Sequence, residues 1–587
     1  MNQAVQLLIH YLKPMRLRVI GLAVLIVISI GLQLVNPLIL RYFIDTATGS
    51  ADTQPLLLAA LAFLGISIVA QIIGIAAVYV GEDVSWRATN RLRADLMRHC
   101  LGLDMSFHNA HTPGEMIERI DGDVLALANF FSRFTIRILG NVLLLVGVLL
   151  VLASVDWRIT LALLTYIALG IAAMLYLGRI GVPYWQATRQ AGAELFGFLA
   201  EQLSGTEDVR SSNAVNYVLH RLLKFNQMLS QRVLKSVTAA NLIVVAWVAL
   251  YVLGQIVAFL LGYYLLGAGL ITIGSVYLII YYTYFVFGRL SEITEQIQDL
   301  QQAAGSLRRV AELYAVESQI KSASNPTVLP PGPLAVYFDD VTFGYSEQEP
   351  ILQNISFCLS AGRTLGLLGR TGSGKTTLTR LLFRLYDPVK GTIRLGVENH
   401  AHQSETYDLR QFTLNDVHQR IGLVTQNVQL FNASVRDNVT LFDKRIPDTQ
   451  IRQVMADLGL SDWYEKLPAG LDTLVEAGGS NLSAGESQLL AFVRIFLRNP
   501  NLVILDEASS RLDPATEKRI EHALDKLLEN RTGIIVAHRL NTVHRADHIL
   551  IIEDGQIQEF GDYDVLVQDS ASRFYNLLQT GLEEALA

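Results

Sequence analysis

The stretch RTLGLLGRTGSGKT, residues 363–376, joins a short apolar run to a glycine-rich turn that ends in a Lys-Thr pair. Its second part, Gly369–Thr376, matches the pattern G-x-x-x-x-G-K-[ST], and an apolar helical pattern follows it. Glycines let backbone N–H groups close around phosphates at a helix N-terminus. An ordinary glycine-rich turn is the alternative, but the strand–loop–helix setting favours a nucleotide-binding loop. In such a loop the Lys375 ammonium faces the outer phosphates and the Thr376 hydroxyl faces Mg²⁺.

Two further apolar runs end in residues that suit nucleotide chemistry. NLVILDE, residues 501–507, ends in two carboxylates, of which Asp506 is predicted to bind Mg²⁺ and Glu507 to polarise the attacking water. An acidic helix cap is the alternative reading of an isolated Asp-Glu pair. TGIIVAH ends in His538, and a lone histidine in this position is more often structural. From residue 335 onward, short β-like runs alternate with helical ones, which predicts an α/β domain over residues 335–587.

The first half of the chain is built from long apolar runs. Of the 587 residues, 51% are hydrophobic and only 17% are charged, as expected when a membrane part is joined to a soluble part. Six runs reach or approach the roughly 20 residues that cross a bilayer. None of the six contains Asp, Glu, Lys or Arg. The runs are Val19–Leu40, Pro55–Val80, Ile138–Ala153, Ile159–Leu177, Leu242–Leu261 and Leu270–Phe287. They predict an all-α transmembrane domain of six helices over residues 1–317, followed by a proline-rich linker at 318–334; buried helices of a large soluble protein are the alternative.

Charge predicts the orientation of this membrane part and argues against one class of partner. Lysine and arginine cluster in the N-terminal segment and in the two long connections, which follow the second and fourth runs. By the positive-inside rule, both termini and both long connections face the cytoplasm, and a bacterial plasma membrane is the expected location.

The formal net charge of −7 gives no reason to expect a nucleic acid as partner.

A capped helix is predicted at LSAGESQ, residues 482–488. Ser483 and Glu486 have the spacing of a capping box, in which the serine hydroxyl accepts a backbone N–H and the glutamate reaches back to the cap. The apolar run LLAFVRIFL continues the helical pattern.

The order of these motifs resembles that of a known family. GRTGSGKT, VTQNVQLF, LSAGESQ, LVILDEASSRLD and IIVAHR occur in the order found in the ATP-binding domain of ABC transporters. The six preceding spans, with two long cytoplasmic connections, resemble an exporter-type half-transporter, and the likeness covers nearly the whole chain. The resemblance implies that two copies of the ATP-binding domain, from a homodimer or a heterodimer, enclose ATP and Mg²⁺ between them. The tips near residues 108–120 and 204–213 would couple these domains to the membrane spans.

The same resemblance implies roles for individual residues. Glu507 would be the catalytic carboxylate, His538 the switch histidine, and Gln426 the sensor of the γ-phosphate and Mg²⁺. The implied metal contacts come from Thr376, Gln426 and Asp506. The implied nucleotide contacts come from Tyr345 under the adenine, from the phosphate loop, from the signature segment of the other subunit and from the end of the D-loop: Tyr345, Gly369, Arg370, Thr371, Gly372, Ser373, Gly374, Lys375, Thr376, Thr377, Ser483, Gly485, Glu486 and Asp513.

The sequence also departs from the family pattern. Where LSGGQ is usual, Ala484 replaces a glycine and Glu486 replaces the glutamine, and a carboxylate beside a phosphate is expected to weaken the contact. His400 and His402 lie in an apparent insertion, where a metal site and a solvated loop are the two readings.

ATP-driven export of hydrophobic or amphipathic compounds is the function expected from the resemblance, with membrane lipid as a further partner. The alternatives are an exporter-fold importer, as for siderophores, and a regulatory protein without productive turnover.

Overall fold

The structure, a computed structural model, describes residues 9–49, 53–129, 138, 140–323, 326–329, 331–346, 349–398, 404–425, 428–506, 514–537 and 543–580. The chain divides into two compact units. The first contains residues 1–101 and 112–316, and the second contains residues 102–111 and 317–587.

The first unit is helical throughout its described length. Its helices are α1 (Arg16–Gly49), α2 (Gln54–Leu101), α4 (Pro113–Ile117), α5 (Asp123–Asn129), α6 (Gly140–Ala153), α7 (Trp157–Ser204), α8 (Thr206–Ser211), α9 (Val215–Gly267) and α10 (Ile273–Ala315), while α3 (Met105–Ala110) belongs to the second unit. A short π-helix, Glu118–Gly122, joins α4 to α5. The six apolar runs fall on α1, α2, α6, α7, α9 and α10, although the third run begins two residues before its helix and the last run three residues before.

Membrane-spanning character is clearest in four stretches. Those in α1, α2, α9 and the first half of α10 are long and apolar enough to cross a membrane, and the described residues add two shorter apolar helices in α6 and the start of α7. Many large apolar side chains on these helices are exposed, among them Leu57, Ile72, Leu161 and Leu260. Exposed apolar faces of this extent suit contact with lipid.

A buried cluster and a few polar contacts hold the spans together. The fully buried Tyr282 on α10 donates a hydrogen bond to the Leu34 carbonyl on α1 at 2.9 Å. Near the C-terminal end of α1, the Asp45 carboxylate accepts hydrogen bonds from the Gly274 N–H and the Thr272 hydroxyl, each at 2.8 Å. Because Thr272 caps α10, these bonds tie the end of α1 to the first turn of α10.

The long helices extend beyond the apolar runs, and each ends close to one of the two predicted tips. α2 ends at Leu101, before the segment near residue 108, and α7 ends at Ser204, where Gly205 and the short α8 separate it from α9. Below the spans, the buried Asp123 carboxylate on α5 pairs with the Arg309 guanidinium on α10.

The second unit is an α/β domain. Its strands are β1 (Ala335–Phe343), β2 (Leu352–Leu359), β3 (Thr364–Leu368), β4 (Lys390–Glu398), β5 (Ser404–Asp408), β6 (Ile421–Val424), β7 (Ala433–Ser434), β8 (Leu474–Val475), β9 (Leu502–Asp506), β10 (Thr532–Val536), β11 (His548–Glu553) and β12 (Gln556–Asp562). Its helices after α3 are α11 (Lys375–Leu382), α12 (Leu414–Arg420), α13 (Val435–Thr440), α14 (Asp448–Asp457), α15 (Ser461–Glu465), α16 (Ala484–Arg498), α17 (Pro514–Leu528), α18 (Tyr563–Gln568) and α19 (Arg573–Thr580).

Two main sheets form the framework of this unit. The order in one is β2-β1-β4-β5, antiparallel, and the order in the other is β12-β11-β3-β10-β9-β6. In the second sheet β11, β3, β10, β9 and β6 run parallel, and only β12 is antiparallel. Every residue of β3 and β10 is buried, as expected for parallel strands covered on both faces.

The segment 102–111 packs on this α/β unit although it lies some 200 residues earlier in the chain. The Asp104 carboxylate caps α3 through the Ser106 and Phe107 N–H groups, and it also accepts a hydrogen bond from the Gln319 N–H at 2.6 Å. Burial alone raises the pKa of this carboxyl, but the three backbone N–H donors outweigh burial and hold the pKa below its ordinary value. The charged form of Asp104 therefore links the segment to the start of the linker.

Replacing Asp104 with Ala is expected to loosen that link, because the mutation removes a helix cap and leaves the Gln319 N–H without its acceptor. Hydrogen exchange at residues 105–110 and 317–320 should become roughly 5- to 30-fold faster, which corresponds to about 1–2 kcal/mol. Because the folded pKa is lowered, this contribution is present above about pH 4 and is lost as the pH falls through the folded value. Asp156→Ala, which removes the cap of α7, is the control: it should speed exchange at the start of α7 and leave residues 105–110 unchanged.

Candidate functional site

The glycine-rich loop joins β3 to α11 through backbone conformations that only glycine adopts readily. Gly369, Gly372 and Gly374 have φ values of +150°, +86° and +106°. A Cβ at Gly369 would collide with the Ile552 carbonyl oxygen, and one at Gly374 would lie 2.6 Å from a methyl carbon of Leu352. The loop thus turns back tightly against β2 and β11 before α11 begins.

Two polar side chains are buried inside this turn. The Lys375 side chain is 6% exposed, and its ammonium donates hydrogen bonds to the Gly369 carbonyl at 2.6 Å and the Arg370 carbonyl at 2.9 Å. The Ser373 hydroxyl is buried and has no hydrogen-bond partner among the described residues. A buried cation and an unpaired hydroxyl beside a helix N-terminus have the chemistry that a phosphate requires.

Four neighbouring parallel strands, β3, β10, β9 and β6, end at the same edge of the sheet, and Asp506 is the last residue of β9. Val536 at the end of β10 pairs with Leu367 of β3 and with Asp506, the last residue of β9. The end of β9 therefore lies two strands, about 10 Å, from the strand that leads into the loop. Thr376 is exposed in the first turn of α11, so that its hydroxyl is accessible at this edge.

Several predicted residues lie outside the described part of the chain. They are Gln426, Glu507, Asp513, His538 and the insertion histidines His400 and His402. The strands before three of them are described: β6 ends two residues before Gln426, β9 ends directly before Glu507, and β10 ends two residues before His538. β4 and β5 pair as a hairpin as far as Glu398 and Ser404, and residues 399–403 connect them.

Tyr345, the predicted adenine-stacking residue, lies beside the phosphate loop. Its side chain is 45% exposed. Its hydroxyl lies 3.3 Å from the Thr377 hydroxyl and accepts a hydrogen bond from the Arg380 guanidinium at 3.1 Å. Thr377, which was predicted as a nucleotide contact, is 6% exposed, and its hydroxyl lies against the Tyr345 hydroxyl.

Tyr386 is a residue of this region that sequence reasoning missed. Its ring meets the Tyr345 ring edge to face, with centroids 5.2 Å apart. Its hydroxyl accepts a hydrogen bond from the Asn109 amide of α3 at 2.7 Å. An isolated tyrosine after a helix carries no motif, so the sequence offers no signal for it.

The signature segment forms the predicted capping box. Ser483 is the N-cap of α16, and its hydroxyl accepts a hydrogen bond from the Glu486 N–H at 3.2 Å. The Glu486 carboxylate in turn accepts bonds from the Ser483 N–H at 2.8 Å and the Ser483 hydroxyl at 2.9 Å. Ala484 is the first helical residue and has a negative φ, so its Cβ is tolerated where a glycine is usual.

The Glu486 carboxylate has a further partner, because the indole N–H of Trp463 on α15 donates to its second oxygen at 2.8 Å. Burial raises the pKa of this carboxyl, but the donors from Ser483 and Trp463 outweigh burial and lower the pKa below its ordinary value. Glu486 is therefore negatively charged at neutral pH, at the helix end where a phosphate is expected. Trp463 has no sequence motif that would have predicted this contact.

Two family models match the chain. Residues 19–290 match the model described as the ABC transporter transmembrane region, and residues 352–510 match the model described as ABC transporter.

Similar proteins cover the whole length of the chain. A putative multidrug export ATP-binding/permease protein of Staphylococcus aureus (strain bovine RF122 / ET3-1) is 30% identical over 571 residues, which are 95% of this chain and 96% of that protein. An ATP-dependent lipid A-core flippase of Photorhabdus laumondii is 27% identical over 94% of this chain and 93% of its own length. The solved structure of a bacterial Atm1-family ABC exporter with ATP bound superposes on this chain with a TM-score of 0.78. The superposition covers 97% of each chain at 24% sequence identity, and it shows that the two proteins share the fold.

Replacing Glu486 with Gln is expected to remove the charge at the signature and keep the cap, because glutamine also completes a capping box. The KM for ATP of the ATPase reaction should fall roughly two- to tenfold, the scale of one unit charge near a phosphate in high dielectric. The unfolding temperature should change little. Trp463→Phe is the matched control, since it removes one donor and leaves the charge, and it should not lower KM. An unchanged KM for Glu486→Gln would contradict the assignment of a repulsive charge.

Proposed function

This chain belongs to the ABC transporter family and is a half-transporter, with one transmembrane region fused to one ATP-binding domain. We propose that it works as a dimer and uses ATP to export hydrophobic or amphipathic compounds across the membrane. The observation that carries the proposal is the shared edge of β3, β10, β9 and β6. The phosphate loop follows β3 and the Asp506 carboxylate ends β9, two strands away at the same edge, and the same chain carries an integral membrane domain. We assign transport to residues 1–317 and ATP hydrolysis to residues 335–587.

The phosphate loop binds ATP through its backbone and two side chains. N–H groups of residues 369–377 surround the phosphates, and the Lys375 ammonium exchanges its bonds to two loop carbonyls for bonds to the outer phosphates. The Ser373 hydroxyl, unpaired among the described residues, gains a partner. Tyr345 stacks its exposed ring on the adenine.

Hydrolysis needs a metal ion and a polarised water. Thr376, Asp506 and Gln426 would hold Mg²⁺, directly or through water, and the ion would neutralise charge on the phosphates. Glu507 orients and polarises the attacking water, and His538 contacts the γ-phosphate. The positions of β9 and β10, which lead directly to these residues at the edge that carries the loop, support the assignment.

One chain supplies half of each site, so the active form is a dimer. The chain contains one phosphate loop and one signature segment. Ser483 and the Gly485 N–H at the start of α16 contact the phosphate bound by the partner, and Asp513 at the end of the D-loop faces the partner subunit. Closure of the two sites around ATP shifts the population of the membrane domain from inward-facing to outward-facing.

Coupling has a physical basis within the α/β unit. Tyr345, which we place under the adenine, touches Tyr386, and Tyr386 is hydrogen-bonded to Asn109 of the first tip. A shift of the Tyr345 ring when ATP binds therefore reaches the 102–111 segment through two contacts. The second tip, near residues 204–213, contacts the partner's ATP-binding domain.

The membrane part supports cargo of low polarity and the orientation given by the positive-inside rule. The six spans carry no charged side chain within their apolar runs, so a charged cargo group would lack a counter-ion in them. Both termini lie in the cytoplasm, and the plasma membrane of a bacterium is the location.

Replacing Glu507 with Gln should leave ATP binding intact and lower the ATPase rate by roughly 10²- to 10⁴-fold, because the water loses its base. Nucleotide binding by the purified full-length protein and steady-state phosphate release measure the two effects. Lys375→Ala is the comparison, since it should abolish binding itself. Turnover that survives Glu507→Gln would overturn the catalytic assignment.

Export predicts ATP-dependent accumulation in inside-out membrane vesicles. The probe is a lipophilic fluorescent dye selected because it stimulates the ATPase rate of the purified dimer. Glu507→Gln vesicles, which bind ATP without turnover, are the control and should accumulate none. ATP-dependent loss of the dye from the vesicles would mean import and would contradict the proposed direction.

A further inference from the structure

Arg494 lies in the second half of the signature helix α16, eleven residues after the N-cap Ser483, or about 16 Å along the helix axis. Its side chain is half-buried, and the described residues give it no carboxylate partner. Burial lowers the pKa of this guanidinium, and the charge of Arg498, one turn further along the helix, lowers it as well. A cation that leaves water without a counter-ion must be compensated by hydrogen bonds.

All three nitrogens of the Arg494 guanidinium donate to a single segment outside α16, residues 429–438. Nη1 donates to the Gln429 carbonyl at 2.8 Å, and Nε donates to the Asn438 carbonyl at 2.6 Å. Nη2 donates to the side-chain oxygen of Asn438 at 3.0 Å. The guanidinium also lies 6.0 Å from the centre of the Phe431 ring. One side chain of the signature helix therefore binds both ends of the segment.

The segment 429–438 is cross-linked within itself by Asn438, which is fully buried. The Asn438 amide nitrogen donates to the Phe431 carbonyl at 2.9 Å and to the Ser434 carbonyl at 3.1 Å, and its oxygen accepts from the Phe431 N–H at 2.9 Å. Pairing of β7 with β8 holds the same segment to the chain before the signature. Arg494 adds the link to the signature helix itself.

The two ends of this link lead to the two ATP sites that we have proposed. Gln429 follows Gln426, the proposed sensor of the γ-phosphate and Mg²⁺, by three residues, and Ser483 caps the helix that would face the partner's phosphate. A misplacement of about 1 Å in a catalytic group can cost on the order of 10²-fold in rate. On the basis of the proposed function, we propose that Arg494 is a positioning residue for ATP hydrolysis, because it ties the chain that follows Gln426 to the signature helix.

Hydrogen exchange of the full-length protein without nucleotide tests the link by itself, independently of the proposed function. Arg494→Lys keeps the charge, but one ammonium cannot replace three donors in a planar fork. Amide exchange at residues 430–438 should become roughly five- to tenfold faster. Arg498→Lys, which alters an exposed arginine one turn further along α16, is the matched control and should leave this exchange unchanged. Unchanged exchange in Arg494→Lys would overturn the link.

Turnover per bound ATP separates a positioning role from a structural one. Arg494→Lys should lower kcat roughly 5- to 50-fold. The KM for ATP should stay within about twofold, because Lys375 and Tyr345 are untouched. Arg494→Gln, which is neutral and keeps an amide donor, should show the same split between kcat and KM.

A purely structural role would give a different result in both variants. Fewer chains would bind ATP, and each ATP-binding chain would turn over at the wild-type rate. That outcome would overturn the positioning role of Arg494, while the ATPase activity of the wild-type protein, and with it the proposed function, would stand.

Discussion

A phosphate group can be surrounded by backbone N–H donors only if the chain reverses tightly right after a buried strand and then enters a helix. In this protein the reversal depends on positive φ at three glycines, and at Gly369 and Gly374 there is also no room for a side chain. Because β3, β10, β9 and β6 run parallel, the C-terminal ends of all four strands lie at the edge of the sheet that carries the loop. Any substitution that displaced β3 would therefore displace the loop and the acidic strand end together.

The signature helix shows how one residue can serve a helix and oppose a ligand. The Glu486 carboxylate satisfies Ser483 and Trp463 and compensates the positive end of α16. The same hydrogen bonds keep it ionised, and they engage the Ser483 hydroxyl as a donor within its own chain. In the dimer that we propose, the partner's phosphate would compete with this carboxylate for the hydroxyl. Local stability and binding strength are therefore in conflict at this helix end.

The features that sequence predicted are those with a local signal. The phosphate loop, the capping box at Ser483 and the six apolar helices each depend on residues that are close in sequence, through glycine conformation, i to i+3 capping and helix length. The contacts that were missed join distant residues: Asn109 and Tyr386 are 277 positions apart, and Trp463 and Glu486 are 23 apart. Neither periodicity nor a motif encodes such pairs.

The membership of residues 102–111 in the α/β unit has a consequence for how the protein is made. About 200 residues, including four of the six spans, separate this segment from the rest of the unit it completes. On the ribosome, the 102–111 segment is synthesised long before Gln319 and Tyr386, the residues of the unit to which Asp104 and Asn109 are hydrogen-bonded. Its docking on the ATP-binding unit can therefore be completed only after all six spans have been synthesised.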